Sequence, residues 1–269
     1  MLVVPPILSS FRKGLIVSCQ APADSPIHQP MVIAAIAEAA VNRGAVGIRV
    51  DTPSHVQAVR QRVKVPIIGL WKQTIPGYEV YITPQLVHAQ AIAAAGADII
   101  ALDATLRKRP NGETLHGIIE HIHGHLGKLV MADVDSIESA TAAEAAGADM
   151  VGTTLYGYTH GTQHQIPPGY DLLKQMINQL TVPCICEGGI ASPSMARAAI
   201  DAGAFAVVVG TAITGIDIQV GQYCSEMHSD WLGLVEFLKW MNWAWNPSMV
   251  EYKSSLSIWF ILQYPLMNE

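Results

Sequence analysis

The sequence predicts an α/β fold: a closed (β/α)8 barrel, the TIM-barrel architecture. Three observations predict it. Eight near-continuous apolar runs alternate with alanine-rich segments, the pattern of parallel strands buried on both faces with helices between them. A partial repeat, Arg43-Gly44-Ala45, Ala95-Gly96-Ala97-Asp98, Ala146-Gly147-Ala148-Asp149 and Ala202-Gly203-Ala204, marks the points where helix gives way to strand. Glycine there suits the left-handed position that ends a helix. Finally, eight such units fit into about 215–230 residues, the ordinary size of this barrel. A doubly wound open sheet is the alternative.

Taken in order, strand one runs over Leu15–Gln20 and ends in Gln20. A helix over Met31–Arg43 leads to strand two, Gly47–Asp51, whose alternation places Gly47, Arg49 and Asp51 on one face. Strand three, Pro66–Lys72, puts Ile68, Leu70 and Lys72 on one face. A helix over Pro84–Ala95 precedes strand four, Asp98–Thr105, which carries Asp103. Strand five, Lys128–Val134, pairs Met131 with Asp133 on one face and is followed by a helix over Ile137–Ala146. Strand six spans Met150–Gly157. Strand seven, Val182–Gly188, sets Ile185 and Glu187 on one side and Cys184 and Cys186 on the other. It runs into Gly189, a helix over Pro193–Ala202, and strand eight, Ala206–Ile213.

Barrel active sites lie at the C-terminal ends of the strands, so the strand tips are the place to look. They supply Gln20, Arg49, Asp51, Lys72, Asp103, Asp133 and Glu187. Buried charge is costly without a partner or a task. Lys72 follows Ile67-Ile68-Gly69-Leu70-Trp71, so its ammonium sits at an apolar rim. Burial and a nearby cation such as Arg49 would both lower its pKa and suit it to act as a base or a Schiff-base nucleophile. Glu187 is its candidate partner as acid, base or orienter. Gly188–Gly189 after strand seven and Gly210–Thr211 after strand eight place glycines on adjacent loops, where many barrels hold phosphate on backbone N–H groups.

Other function classes are disfavoured. The net charge is -6, and no basic run is longer than Arg107-Lys108-Arg109, which argues against nucleic acid as the partner. Four cysteines without a CxxC pair indicate neither a zinc site nor a disulfide framework. No uncharged apolar stretch reaches the ~20 residues of a spanning helix, and Arg12 and Lys13 follow the N-terminal apolar run, the reverse of a signal peptide. A cytoplasmic protein is expected. His121, His123 and His125 read as a solvated helix face, because no acidic residue joins them at metal-ligand spacing. His160 and His164 lie in the loop after strand six, where they could close over a ligand. Residues 1–228 read as the barrel, and 229–269 as a separate, atypical extension holding five of the six tryptophans. A cover for the barrel, a subunit contact, a membrane-interface helix and a tail translated from an altered frame all remain open for it.

The motifs at the strand ends resemble the bacterial N-acylglucosamine-6-phosphate (N-acetylmannosamine-6-phosphate) 2-epimerases over residues 7 to about 214. The resemblance rests on Gly14–Gln20, Gly47-Ile48-Arg49, Pro66–Lys72, Val80–Pro84, and Asp103-Ala104-Thr105 with Arg107 and Arg109-Pro110. It continues through Met131-Ala132-Asp133, Gly152–Thr159, Glu187–Ile190 and Val209–Thr214. It implies a phosphate-binding barrel of the ribulose-phosphate-binding type that interconverts N-acetylmannosamine 6-phosphate and N-acetylglucosamine 6-phosphate in amino-sugar or sialic acid catabolism. By the same resemblance, Lys72 is the catalytic base and Glu187 its acid/base partner. Gln20, Arg49 and Asp133 bind the open-chain sugar, and the Gly188–Gly189 and Gly210–Thr211 loops take the phosphate. No cofactor and no metal are implied, and a homo-oligomer, a dimer, is expected. The rival readings are a Schiff-base aldolase using Lys72 and a non-catalytic sugar-phosphate-binding protein.

Overall fold

The computed structural model describes residues 5–227. Eight parallel strands close into a barrel in sequence order, as predicted. They are β1 (Leu15–Cys19), β2 (Gly47–Asp51), β3 (Ile67–Leu70), β4 (Ile99–Asp103), β5 (Leu129–Asp133), β6 (Met150–Gly152), β7 (Cys184–Glu187) and β8 (Ala206–Val209). The helices are α1 (Pro6–Ser9), α2 (Pro30–Val41), α3 (Pro53–Arg60), α4 (Leu86–Ala94), α5 (Leu115–His121), α6 (Ile137–Ala145), α7 (Tyr170–Gln179), α8 (Pro193–Asp201), α9 (Thr211–Thr214) and α10 (Ile216–Met227). The barrel unit runs to Gly215, while α10 falls with Pro22–Asp24 in a second unit. The extension 229–269 lies outside the described residues. Among the described residues no helix is long and apolar enough to cross a membrane.

Strand alternation sorts the apolar side chains into two cores. Ile16, Ile68, Leu70, Ile99, Ala101, Met131, Met150, Ile185, Ala206 and Val208 fill the barrel interior. The other faces of the same strands, among them Val17, Ile48, Val130, Cys184 and Cys186, pack outward against the helices. The interior is a packed core and not a channel. Its N-terminal end is plugged by Leu8 and Phe11, both fully buried. Gly47 leaves room for this plug, since a Cβ there would lie 2.5 Å from the Phe11 ring.

The repeat at the helix ends has the predicted geometry. Gly44, Gly96, Gly147 and Gly203 all adopt φ between 101° and 103°, which lets each chain turn from a helix back into a strand. Strand two has the predicted bounds and the other seven are shorter, two of them ending four or more residues early. Strand six stops at Gly152, because Leu155 and Tyr156 turn back through bonds from their amides to Val134 and Thr153 carbonyls. Strand eight stops at Val209, and Thr211–Thr214 forms a short helix instead.

Gly44 isolates backbone strain from crowding, because nothing lies within 4 Å of where its Cβ would be. Gly44→Ala should therefore destabilise the barrel by about 1–2 kcal/mol in urea unfolding, the cost of a left-handed L-residue, and leave catalysis unchanged.

Candidate active site

Arg49, on the inward face of β2, is the largest fully buried side chain among the described residues. Its side chain is only 2 % accessible. The guanidinium forks onto Asp133 of β5, with Nη1 donating to Oδ1 at 3.1 Å and Nη2 to Oδ2 at 2.6 Å. Its Nε lies 3.2 Å from Glu187 Oε1 at the end of β7. That contact lacks hydrogen-bond geometry, so Nε has no hydrogen-bond partner. Asp133 therefore takes the directed bonds, and Glu187 receives mainly the charge. Burial drives the Glu187 carboxyl up from 4.5 to about 7, with Arg49 opposing the shift and Asp133 adding to it. Burial alone would lower the pKa of Arg49, but Asp133 and Glu187 raise it overall. Removing either partner of such a buried pair leaves an uncompensated charge, typically costing about 3–5 kcal/mol.

Two threonines after β6 hold Glu187. Its backbone N–H donates to Thr153 Oγ1 at 3.0 Å, and Thr153 Oγ1 donates to its carbonyl at 2.8 Å. Thr154 Oγ1 stands between the carboxyl groups, 2.7 Å from Asp133 Oδ1 and 3.1 Å from Glu187 Oε2. The sequence reading passed over Thr154, because a strand continued to Gly157 hides the fact that 153 and 154 are themselves strand tips. The usable signal is Gly152-Thr153-Thr154 at the same place in its unit as Asp133 and Glu187 in theirs.

Lys72 lies just beyond β3 and is half-buried. Its backbone N–H donates to Asp51 Oδ1 at 2.9 Å. An antiparallel bridge joins Lys72 to Ile82 of the returning loop. The flanking peptides are tied as well: Gln73 N–H bonds Tyr81 O, Thr83 N–H bonds Trp71 O, and Trp71 N–H bonds Thr83 Oγ1. Buried Arg109 reinforces that loop by donating to Pro84 O at 3.0 Å. The ammonium is thus delivered from a braced backbone. Burial lowers its pKa, Asp51 opposes this, and Arg49 lowers it further, in the direction the sequence predicts. Asp51 is pushed up by burial and pulled back by Lys72.

The loops of β7, β8 and β1 occupy consecutive positions around the barrel. Gly188 and Gly189 both have positive φ, 94° and 68°. A Cβ on Gly189 would strike Pro167 at 2.5 Å, and one on Gly188 would press on the Tyr158 ring. Gly210 precedes Thr211 at the start of α9 and lies against Ser18, while Thr214 Oγ1 donates to Ser18 O. Gln20 follows β1, its Nε2 donating to Ser18 Oγ at 2.8 Å.

Some predicted tips are engaged elsewhere. Asp103 accepts from Thr105 Oγ1 at 2.7 Å and from Arg107 Nη2 at 2.8 Å, which makes it a local clasp. His121 and His125 stack at 4.3 Å, and His123 bonds Asp149. Among the described residues no three His, Cys, Asp or Glu side chains are grouped to hold a metal ion.

Residues 33–229 match a family model described as "Putative N-acetylmannosamine-6-phosphate epimerase". The chain belongs to this family. It is 62% identical over 224 residues to the "Putative N-acetylmannosamine-6-phosphate 2-epimerase" of Thermosynechococcus vestitus, covering 83% of this chain and 97% of the relative. The protein of the same description from Synechococcus elongatus is 64% identical over 224 residues, covering 82% and 97%. The N-acetylmannosamine-6-phosphate 2-epimerase of Clostridium perfringens, a solved structure, is 35% identical with a TM-score of 0.79. That match covers 85% of this chain and 99% of the other.

The raised Glu187 pKa carries a stability consequence. The folded protein holds this proton more tightly than the unfolded chain, so the stabilisation is full below pH 4.5 and lost as pH rises through about 7. Glu187→Gln lacks this titration. Its stability relative to the parent should increase between pH 4.5 and 7 and level off above, in urea unfolding at stepped pH.

Proposed function

We propose that the chain interconverts N-acetylmannosamine 6-phosphate and N-acetylglucosamine 6-phosphate by moving the proton at carbon 2, with Lys72 and Glu187 as the two proton carriers. The observation that carries this reading is their placement. Lys72 follows β3 and Glu187 ends β7, strands that face each other across the closed barrel. Epimerisation needs a base on one face of a carbon and an acid on the other.

Carbon 2 of the open-chain sugar lies next to an aldehyde. Uncharged Lys72 takes its proton and becomes an ammonium, and the electron pair moves onto the aldehyde oxygen to give an enolate. Cationic Arg49 and nearby N–H donors offset the developing charge, and such a preorganised donor contributes about 3–4 kcal/mol. Protonated Glu187 then returns a proton to the opposite face and becomes a carboxylate. The reverse reaction runs the same transfers backwards. The pKa directions favour this pair, since burial brings both groups toward neutrality from opposite sides. Gln20 and Asp133 would orient the open chain. Gly188, Gly189, Gly210 and Thr211 would receive the phosphate on backbone N–H groups, with positive φ at Gly188 and Gly189 permitting close approach. Family membership supports the substrate assignment.

Proton NMR of the protein with N-acetylmannosamine 6-phosphate in D2O should show loss of the carbon 2 proton signal and growth of the gluco epimer. Lys72→Ala should abolish both and retain the native circular dichroism spectrum; a variant with parental rate overturns the mechanism. Borohydride trapping of sugar on Lys72 would instead indicate Schiff-base chemistry. Asp51→Asn keeps an acceptor for the Lys72 N–H and removes the charge. It should lower the Lys72 pKa, read by ¹⁵N NMR of the side-chain nitrogen.

A further inference from the structure

We propose that Thr154 is the positioning residue that holds Glu187 as a neutral acid, with Glu187 Oε2 donating to Thr154 Oγ1 and Thr154 donating in turn to Asp133 Oδ1. The proposal rests on the reading of Glu187 as the proton donor and adds the device that keeps it protonated.

A threonine hydroxyl has one hydrogen to give and lone pairs to receive. Thr154 Oγ1 touches two carboxyl groups, at 2.7 Å to Asp133 and 3.1 Å to Glu187. Its single hydrogen cannot serve both. The shorter bond goes to Asp133, which is the ionised partner because Arg49 engages both its oxygens. Glu187 Oε2 then faces a hydroxyl lone pair. A carboxylate there would be repelled, whereas a carboxylic acid makes a bond.

The surrounding charge agrees. Glu187 is faced by Arg49 from β2, Asp133 from β5, Lys72 beyond β3, and Tyr158 from the loop after β6. Arg49 and Asp133 cancel, and Lys72 has Asp51 beside it. A carboxylate at Glu187 would add a further negative charge beside Asp133 in this buried layer, while a proton on Glu187 removes it. The opposite polarity, with Thr154 donating to Glu187, would stabilise the carboxylate and pull its pKa down.

The two polarities predict opposite signs for one variant. The Glu187 side-chain carbon is followed by ¹³C NMR across pH, its signal assigned by its loss in Glu187→Gln. Under the proposal, Thr154→Val removes the acceptor from the neutral acid, and the Glu187 pKa falls by about one unit. Thr154→Ser keeps the hydroxyl and restores the parental titration. Turnover at pH 8 in Thr154→Val falls about tenfold through kcat with KM unchanged, because the protonated fraction falls by that factor. A rise in the Glu187 pKa, or no change, in Thr154→Val overturns the proposal. So does a serine variant that titrates like the valine one. Failure of the underlying reading shows separately: parental turnover in Glu187→Gln removes Glu187 as the donor, whatever the titration gives.

Discussion

The contact between Arg49 and Asp133 is the constraint on which the site depends. An almost fully buried guanidinium cannot shed its proton, so its surroundings must supply negative charge. Two carboxyl groups converge on it, and it bonds only one of them in a directed way. That asymmetry makes Asp133 a fixed anion and leaves Glu187 free to exchange a proton near neutrality. The same positive charge, on the strand next to β3, helps to keep Lys72 from holding its own proton too firmly. Burial dominates at both candidate carriers; the one buried cation adds to its effect at Lys72 and opposes it at Glu187.

The fold makes this possible because a barrel brings distant parts of the sequence to one layer. Arg49 and Asp133 are 84 residues apart, yet they meet with near-ideal fork geometry on the inward faces of β2 and β5. The interior below them is packed with Ile68, Leu70, Met131 and Ile185, and plugged by Leu8 and Phe11. Low polarity beneath the charged layer strengthens the effect of burial on Lys72, Asp51 and Glu187. Rigidity comes from the backbone ties at the rim: Asp51 on the Lys72 amide, Thr153 on both backbone groups of Glu187, and Arg109 on the loop opposite Lys72.

Division of labour around the mouth follows from strand adjacency. Strands β7, β8 and β1 are neighbours, so their glycine loops and Gln20 line one arc. Strands β2, β3 and β5 supply Arg49, Lys72 and Asp133 from the remainder. The candidate phosphate cradle and Lys72 thus lie on different parts of one rim, with Glu187 at the end of β7 directly before the Gly188–Gly189 loop.

The sequence by itself determined the barrel, the order of its strands and the inward direction of most site residues. Hydrophobic runs, helix-ending glycines and two-residue alternation are local features, and local sterics and burial fix their meaning. It also placed Lys72 and Glu187 at strand ends and gave the direction of the lysine's pKa shift. Tertiary structure alone decided which charges meet. Nothing local tells Asp103 that it will be clasped by Thr105 and Arg107 while Asp133 receives Arg49. Nor could alternation find Thr154, because its role depends on where β6 stops, which the turn at Leu155–Tyr156 sets through bonds to Val134 and Thr153. Hydrogen-bond partners are chosen by three-dimensional distance and angle, and those exist only once the barrel closes.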